Sequence, residues 1–287
     1  MGALLTFVKK SAVNKYGGLF LFYEFVLYLN WYLFVSYLKM LKRRLIFLFV
    51  FISSLLVVSG CSSDVEYGEL VDSRDGHVYK TVVIGEQTWM AENLNFMPAS
   101  DSSRLSPLSP LYPRTSCYAG KDSNCTKYGR LYMWSSAMDS IGEYSTDGKS
   151  CGYRHYCESS GRIRGICPEG WHLPSEDEFT VLLKRVAPYG RSNVGVPDWR
   201  DAGFPLMIKG EWNEKEATNS TGFSALPAGL RSFYGRHGHI GKQTYFWTST
   251  ESNGWAATML IFYPGGTLLL ERAGEKRLGL SVRCIKD

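Results

Sequence analysis

The chain of 287 residues carries 32 Lys and Arg against 27 Asp and Glu, a net charge of +5. Seven of those basic residues and a single acid, Glu24, precede Cys61, so the remainder holds 25 basic against 26 acidic residues. The basicity therefore belongs to the leading segment, and it gives no ground for nucleic-acid binding.

Gly18 to Leu38 is an apolar stretch interrupted by Glu24 and Asn30 and long enough to span a bilayer. Behind it, Met40 to Ser63 reads MLKRRLIFLFVFISSLLVVSGCSS. Lys42, Arg43 and Arg44 form a positive n-region, Leu45 to Val58 an apolar h-region, and Val58-Ser59-Gly60-Cys61 a small-residue cleavage site. That ending resembles the lipobox of bacterial lipoproteins, in which the cysteine is acylated and becomes the new N-terminus. The expectation is a signal peptide over 40–60 and a lipid on Cys61, tethering the chain to the outer membrane on its periplasmic or cell-surface side. The h-region is shorter than the ~20 residues of a spanning helix, which argues against an uncleaved membrane segment. A signal peptide normally begins at its n-region, so initiation is expected at Met40, with residues 1–39 an upstream extension. An additional membrane helix is the rival reading of that extension.

Residues 61–70 are polar and acidic, with Asp64, Glu66 and Glu69, and read as a tether. The domain proper is expected over 71–287. Val71 to Asn95 holds β-like runs around two turns, Asp75-Gly76 and Gly85-Glu86, which predicts a small antiparallel sheet. Pro98 to Pro113 is rich in Ser and Pro and reads as loop. From Tyr128 to Ile141 a helical period places Leu131, Trp134 and Met138 on one face. A second helix is better marked. Ser175 can cap it, Glu178 can complete a capping box, and Phe179, Leu182, Leu183 and Val186 form its apolar stripe before Pro188 and Gly190.

After Gly190, short apolar runs punctuated by glycine read as strands: Phe223 to Leu230, Tyr245 to Thr250, Trp255 to Tyr263, Thr267 to Leu270 and Leu278 to Ile285. Pro264-Gly265-Gly266 marks a hairpin between two of them. Strands, two main helices and strands again define an α+β domain with short antiparallel sheets.

With Cys61 assigned to lipid, six cysteines remain: Cys117, Cys125, Cys151, Cys157, Cys167 and Cys284. An even number in an exported chain points to disulfide staples. Arithmetic leaves fifteen pairings, and short spacing favours Cys117 with Cys125 and Cys151 with Cys157, leaving Cys167 with Cys284. A metal site from Cys151, His155, Cys157 and Cys167 is the competing reading. It lacks a CxxC pair and sits in an oxidising context.

Five segments in order carry a resemblance: Cys125 to Trp134 (CTKYGRLYMW), Cys167 to Ser175 (CPEGWHLPS), Gly222 to Gly229 (GFSALPAG), Phe246 to Thr250 (FWTST) and Ser281 to Cys284 (SVRC). They resemble the Fibrobacter succinogenes major paralogous domain family, whose members are exported lipoproteins or surface proteins without an assigned biochemistry. More distantly, the strand-to-helix passage at Trp171 to Ser175 and the closing Arg-Cys pair are similar to the C-type lectin-like and formylglycine-generating-enzyme-like fold. That resemblance implies that a Cys167–Cys284 bridge would be the long-range disulfide of such domains. Formylglycine-generating chemistry needs free active-site cysteines, and six cysteines in a complete disulfide scheme leave none, so binding rather than that catalysis is expected.

Lectin-type calcium sites use Glu-Pro-Asn or Gln-Pro-Asp with a following Trp-Asn-Asp. The first motif is absent, and Trp212-Asn213-Glu214 is the nearest approach to the second. No cofactor is therefore expected, with calcium the one the resemblance admits. His77, His155, His172, His237 and His239 fall in no catalytic motif, and no enzyme is expected. His237-Gly238-His239 reads as a glycine-rich surface loop. Aromatic residues are the remaining hint, and Tyr234, His237 and Trp255 are the best candidates for exposure. Together with Trp212, Asn213 and Glu214 they form the expected ligand-binding set. The expected function is a lipid-anchored, non-catalytic binding module for carbohydrate or another surface ligand. The alternative is a structural envelope or adhesion protein that binds a protein partner.

Overall fold

Local hairpins build the first sheet. In the computed structural model, which describes residues 28–44, 65–102, 114–157, 161–187, 191–192, 197–212 and 216–287, strands β1 (Tyr67–Val71), β2 (Val78–Ile84) and β3 (Gln87–Met90) pair antiparallel in succession. The turns fall at the two predicted places, 72–77 and Gly85-Glu86. β1 begins inside the segment expected to be tether, because Tyr67 to Val71 find backbone partners in Val78 to Val82. The chain divides into Met1–Ser63 and Asp64–Asp287. In the former, residues 28–44 form one helix, α1, which continues through Met40. No helix among the described residues is long and apolar enough to cross a membrane. Cys61 and the rest of the predicted cleavage region lie outside the described residues.

The helix expected over Tyr128 to Ile141 is broken into three pieces. After the short helix α2 (Ala99–Ser102) and strand β4 (Thr115–Ser116), helix α3 (Asp122–Tyr128) stops at Gly129, whose φ of 76° is a left-handed conformation that ends the helix. Leu131–Tyr132 then forms β5, which pairs with β4, while Tyr132 also bridges Leu280. Only Trp134–Ala137 returns to helix, as α4. The apolar period was real, since Leu131, Trp134 and Met138 are all buried, but strand pairing claimed part of it. Of the expected loop from Pro98 to Pro113, residues 99–102 are helical and 103–113 lie outside the described residues.

After β6 (Trp171–His172), helix α5 (Glu176–Val186) matches its sequence signature. The Ser175 side chain accepts from the Glu178 N–H, and Glu178 accepts in return from the Ser175 N–H and hydroxyl. Phe179, Leu182 and Leu183 are fully buried, with Phe179 stacked on Trp89 of β3 at 5.0 Å. Burying three such side chains stabilises by about 1.5–3 kcal/mol each, and Val186 is only partly buried.

The second sheet follows the order β11-β12-β13-β8-β7, from Thr244–Glu251, Ala256–Phe262, Leu268–Glu275, Pro197–Trp199 and Arg191–Ser192. Every residue of β12 is buried, as a central strand requires. A small hairpin pairs β9 (Leu230–Arg231) with β10 (His237–Gly238), so the expected glycine-rich loop at His237-Gly238 is strand. The segments expected as strands over 223–230 and 278–285 are mostly irregular and are held by isolated bridges. The chain's last strand, β14 (Ile285–Lys286), inserts into the first sheet, whose order is β1-β2-β3-β14-β6.

Three disulfides join Cys117 to Cys125, Cys151 to Cys157 and Cys167 to Cys284, the pairs that spacing favours. Next to the last of them, Arg283 is wholly buried. Its guanidinium donates to Asn93 Oδ1 at 2.6 Å and to the Phe223 and Ser224 carbonyls, with the Phe223 ring 4.3 Å away. Burial lowers its pKa to about 9. One side chain thus ties the C-terminal Arg-Cys pair to the Gly222-Phe223-Ser224 segment and to the chain just after β3. This is a packing reason for two of the segments that carry the resemblance.

Candidate functional site

Four pieces of chain meet at one end of the second sheet: the β11–β12 turn (252–255), the residues following β13 (276–277), the disulfide ring Cys151–Cys157, and the turn of the β9–β10 hairpin (232–236). Backbone hydrogen bonds fix their relative places. Arg154 N–H donates to the Gly254 carbonyl at 2.7 Å, and Lys276 N–H to the Trp255 carbonyl at 3.0 Å. Arg231 and Gly279 exchange N–H···O bonds at 2.9 and 2.8 Å, holding the hairpin beside Arg277.

Lys276 locks this assembly from inside. Its side chain has no exposure, and its ammonium donates to the Gly152 and His155 carbonyls, each at 3.1 Å, and to the Glu251 carboxylate. The same ammonium lies 4.4 Å from the Trp134 ring centroid. Glu251 also accepts the Cys157 N–H at 3.0 Å. Burial lowers the Lys276 pKa, and the ion pair with Glu251 opposes that shift. A cation and two disulfide-linked cysteines therefore position a ring that exposes Arg154, His155 and Tyr156 and half-buries Tyr153.

Most of these side chains join a continuous aromatic and guanidinium face. Tyr153 meets Trp255 edge to face at 5.1 Å. Arg277 lies 4.1 Å from the Tyr153 ring and 5.0 Å from Phe233, which contacts Tyr234 at 4.0 Å. Arg154 covers Trp255 at 4.7 Å. The Tyr156 ring passes beside Gly254. Tyr156, Tyr234 and Trp255 are 72%, 68% and 49% exposed, an unusual concentration of large rings in water. Arg154 holds a φ of 66°, a conformation that costs an ordinary residue about 1 kcal/mol. The closed ring imposes it.

Beyond Cys157 a cleft of about 280 Å³ is lined by Met138, Cys157, Gly161, Ile163, Ser175, Ser249, Thr250 and Glu251. Glu251 is thus shared between the cleft and the latch of the ring. The Ser175 hydroxyl there is committed to its helix cap, and His172 is 2% exposed, with its ring nitrogens 2.7 and 2.8 Å from the carboxylates of Asp287 and Glu178. Both groups hold the fold. Among the described residues, no cluster of three or more His, Cys, Asp or Glu could hold a metal ion.

The expected ligand set separates in the structure. Tyr234 and Trp255 join one face through Phe233, Arg277 and Tyr153. Trp212 does not: it is 5% exposed, its indole N–H donates to the Ala225 carbonyl at 2.8 Å, and it packs near Phe262. An apolar ring with a satisfied N–H belongs in the core. Asn213 and Glu214 lie outside the described residues. His237 is half-buried with its ring against Tyr118 at 5.0 Å, and burial lowers its pKa. Tyr153, Tyr156 and Arg277 are members of the face that sequence reading missed. For the tyrosines a signal existed: a ring closed by cysteines six positions apart has no interior, so Tyr153 and Tyr156 had to lie outside it, Tyr156 in water and Tyr153 half-buried on Trp255 and Arg277.

These features define an α+β protein held by three disulfides, with an exposed aromatic face at the end of one sheet. The chain belongs to the Fibrobacter succinogenes major domain family, whose profile matches residues 82–286. No curated protein and no solved structure matches it.

Proposed function

We propose that this protein is a non-catalytic binding module of the bacterial envelope, tethered to the outer membrane by lipid on Cys61, and that its ligand is carbohydrate. The face of exposed Tyr156, Trp255 and Tyr234 around the half-buried Tyr153 supports this reading. Flat rings in water stack on the apolar faces of sugars, and an apolar patch of this kind on an otherwise polar surface marks an interaction site. The proposed architecture is C-type lectin-like. In its favour are the strand-to-helix passage at Trp171–Ser175, the Cys167–Cys284 bridge across the unit, and a last strand lying in the sheet of the first.

Pull-down of the full chain, purified in detergent, on insoluble and immobilised polysaccharides tests the proposal. Binding to at least one glycan is expected, and Trp255→Ala should weaken it about tenfold or more, since a stacked aromatic anchor carries over about 1.4 kcal/mol. Retention on no glycan, together with crosslinking in cells to one stoichiometric protein neighbour, would replace carbohydrate by a protein partner. Tyr, Trp and Arg suit that role as well.

A further inference from the structure

The aromatic face is studded with guanidinium groups. Arg154 lies over Trp255, Arg277 lies between Tyr153 and Phe233, and Arg236 stands exposed in the hairpin turn that carries Phe233 and Tyr234. That turn is closed by the Ser232 N–H donating to the Arg236 carbonyl at 2.7 Å, so Arg236 and Tyr234 share one short loop. The nearby acids are already engaged. Glu275 pairs with Arg277 and Glu251 with Lys276, and among the described residues no ion pair involves Arg154 or Arg236. Past Cys61 the chain carries slightly more acid than base, so these arginines are a local departure from the overall charge.

We propose that the ligand of this face is an acidic polysaccharide, whose sugar rings stack on Trp255 and Tyr234 and whose carboxylate or sulfate groups pair with Arg154 and Arg236. This deepens the carbohydrate reading and rests on it. A neutral glycan needs hydroxyl-matching acceptors and donors beside the rings. Here the charged groups beside them are planar cations, whose forked N–H groups match the two oxygens of a carboxylate or sulfate. Arg277 is the exception: its partner Glu275 and its place between two rings make it part of the platform.

The experiment compares polymers with the same backbone and different charge. Binding of the full chain in detergent is measured on polygalacturonate against its fully methyl-esterified form, and on dextran sulfate against plain dextran. The two pairs distinguish carboxylate from sulfate. The proposal expects one acidic polymer to bind about tenfold tighter than its neutral counterpart, and to weaken as salt rises from about 50 to about 500 mM. Arg154→Gln with Arg236→Gln should abolish that preference while residual neutral binding persists. Both side chains are exposed, and Gln at 154 keeps an ordinary side chain on the same backbone, so the fold is retained. Equal binding of acidic and neutral forms, with Trp255→Ala still weakening both, overturns the charge proposal and leaves the carbohydrate reading standing. Binding of neither pair, nor of any other glycan, overturns both. An acidic preference untouched by the double arginine substitution overturns the assignment to this face.

Discussion

His172 sits between two carboxylates, and the more enclosed of them, Glu178, carries a measurable consequence. Burial alone would raise the Glu178 pKa, but hydrogen bonds from His172 and from the Ser175 N–H and hydroxyl outweigh it and hold the value at about 2 against an ordinary 4.5. The folded value is the depressed one, so the stabilisation is complete above about pH 4.5 and is lost as the pH falls toward about 2. The shift corresponds to about 3 kcal/mol. Urea unfolding across this range should show that loss in the wild type, while Glu178→Gln is less stable at neutral pH and lacks this component of the acid dependence. A Glu178→Gln profile parallel to the wild type would remove Glu178 as its source. The capping half of the arrangement was legible in Ser175-x-x-Glu178, because a helix cap is a contact between neighbours in sequence. The His172 half was not legible, since His172 falls in no catalytic motif and Asp287 reaches it from 115 residues further along the chain.

At the scale of elements, the disulfide ring and its latch decide whether the aromatic face exists. Lys276 reaches the ring through the carbonyls of Gly152 and His155 and balances the Glu251 carboxylate, so Lys276→Met would keep most of the packing over Trp134 but strand three acceptors. We expect a loss of about 3 kcal/mol in chemical unfolding. Trp255 fluorescence should also become more accessible to a soluble quencher, and glycan binding should fall with the Cys151–Cys157 bond still intact. Unchanged quenching would mean that the cysteines alone set the ring. Sequence showed the bond here but not the latch, because a single lysine among 32 basic residues has no local mark of burial. The same limit explains the helix expected over Tyr128 to Ile141. Its apolar period was correct, yet Gly129 and the pairing of Leu131 and Tyr132 with a distant strand divided it.

For the molecule as a whole, the decisive contact is between chain segments 117 residues apart. Cys167–Cys284 fastens the segment before β6 to the segment before β14, and both strands lie side by side in the first sheet. In the chain-entropy description such a bridge contributes about 4 to 5 kcal/mol. Replacing both cysteines by serine should lower unfolding stability by roughly that amount, whereas the same change at Cys117 and Cys125, which closes a far shorter ring, should cost less. Equal losses would show that loop closure does not set what each bridge contributes. The β2–β3 hairpin was readable because hairpins are local, as was the succession of β11, β12 and β13, whereas β1 lay almost wholly in the stretch read as tether. The insertion of β14 between β3 and β6 was not, because nothing in Ile285-Lys286 names its neighbours.

The ring between Cys151 and Cys157 is gripped by Lys276 only through main-chain oxygens, which every amino acid supplies. Side chains at 153 to 156 therefore take no part in the Lys276 grip itself, although Tyr153 packs against Trp255 and Arg277 and Arg154 holds a left-handed backbone. Exchange at the exposed Tyr156 would rewrite what the protein recognises while leaving that grip in place.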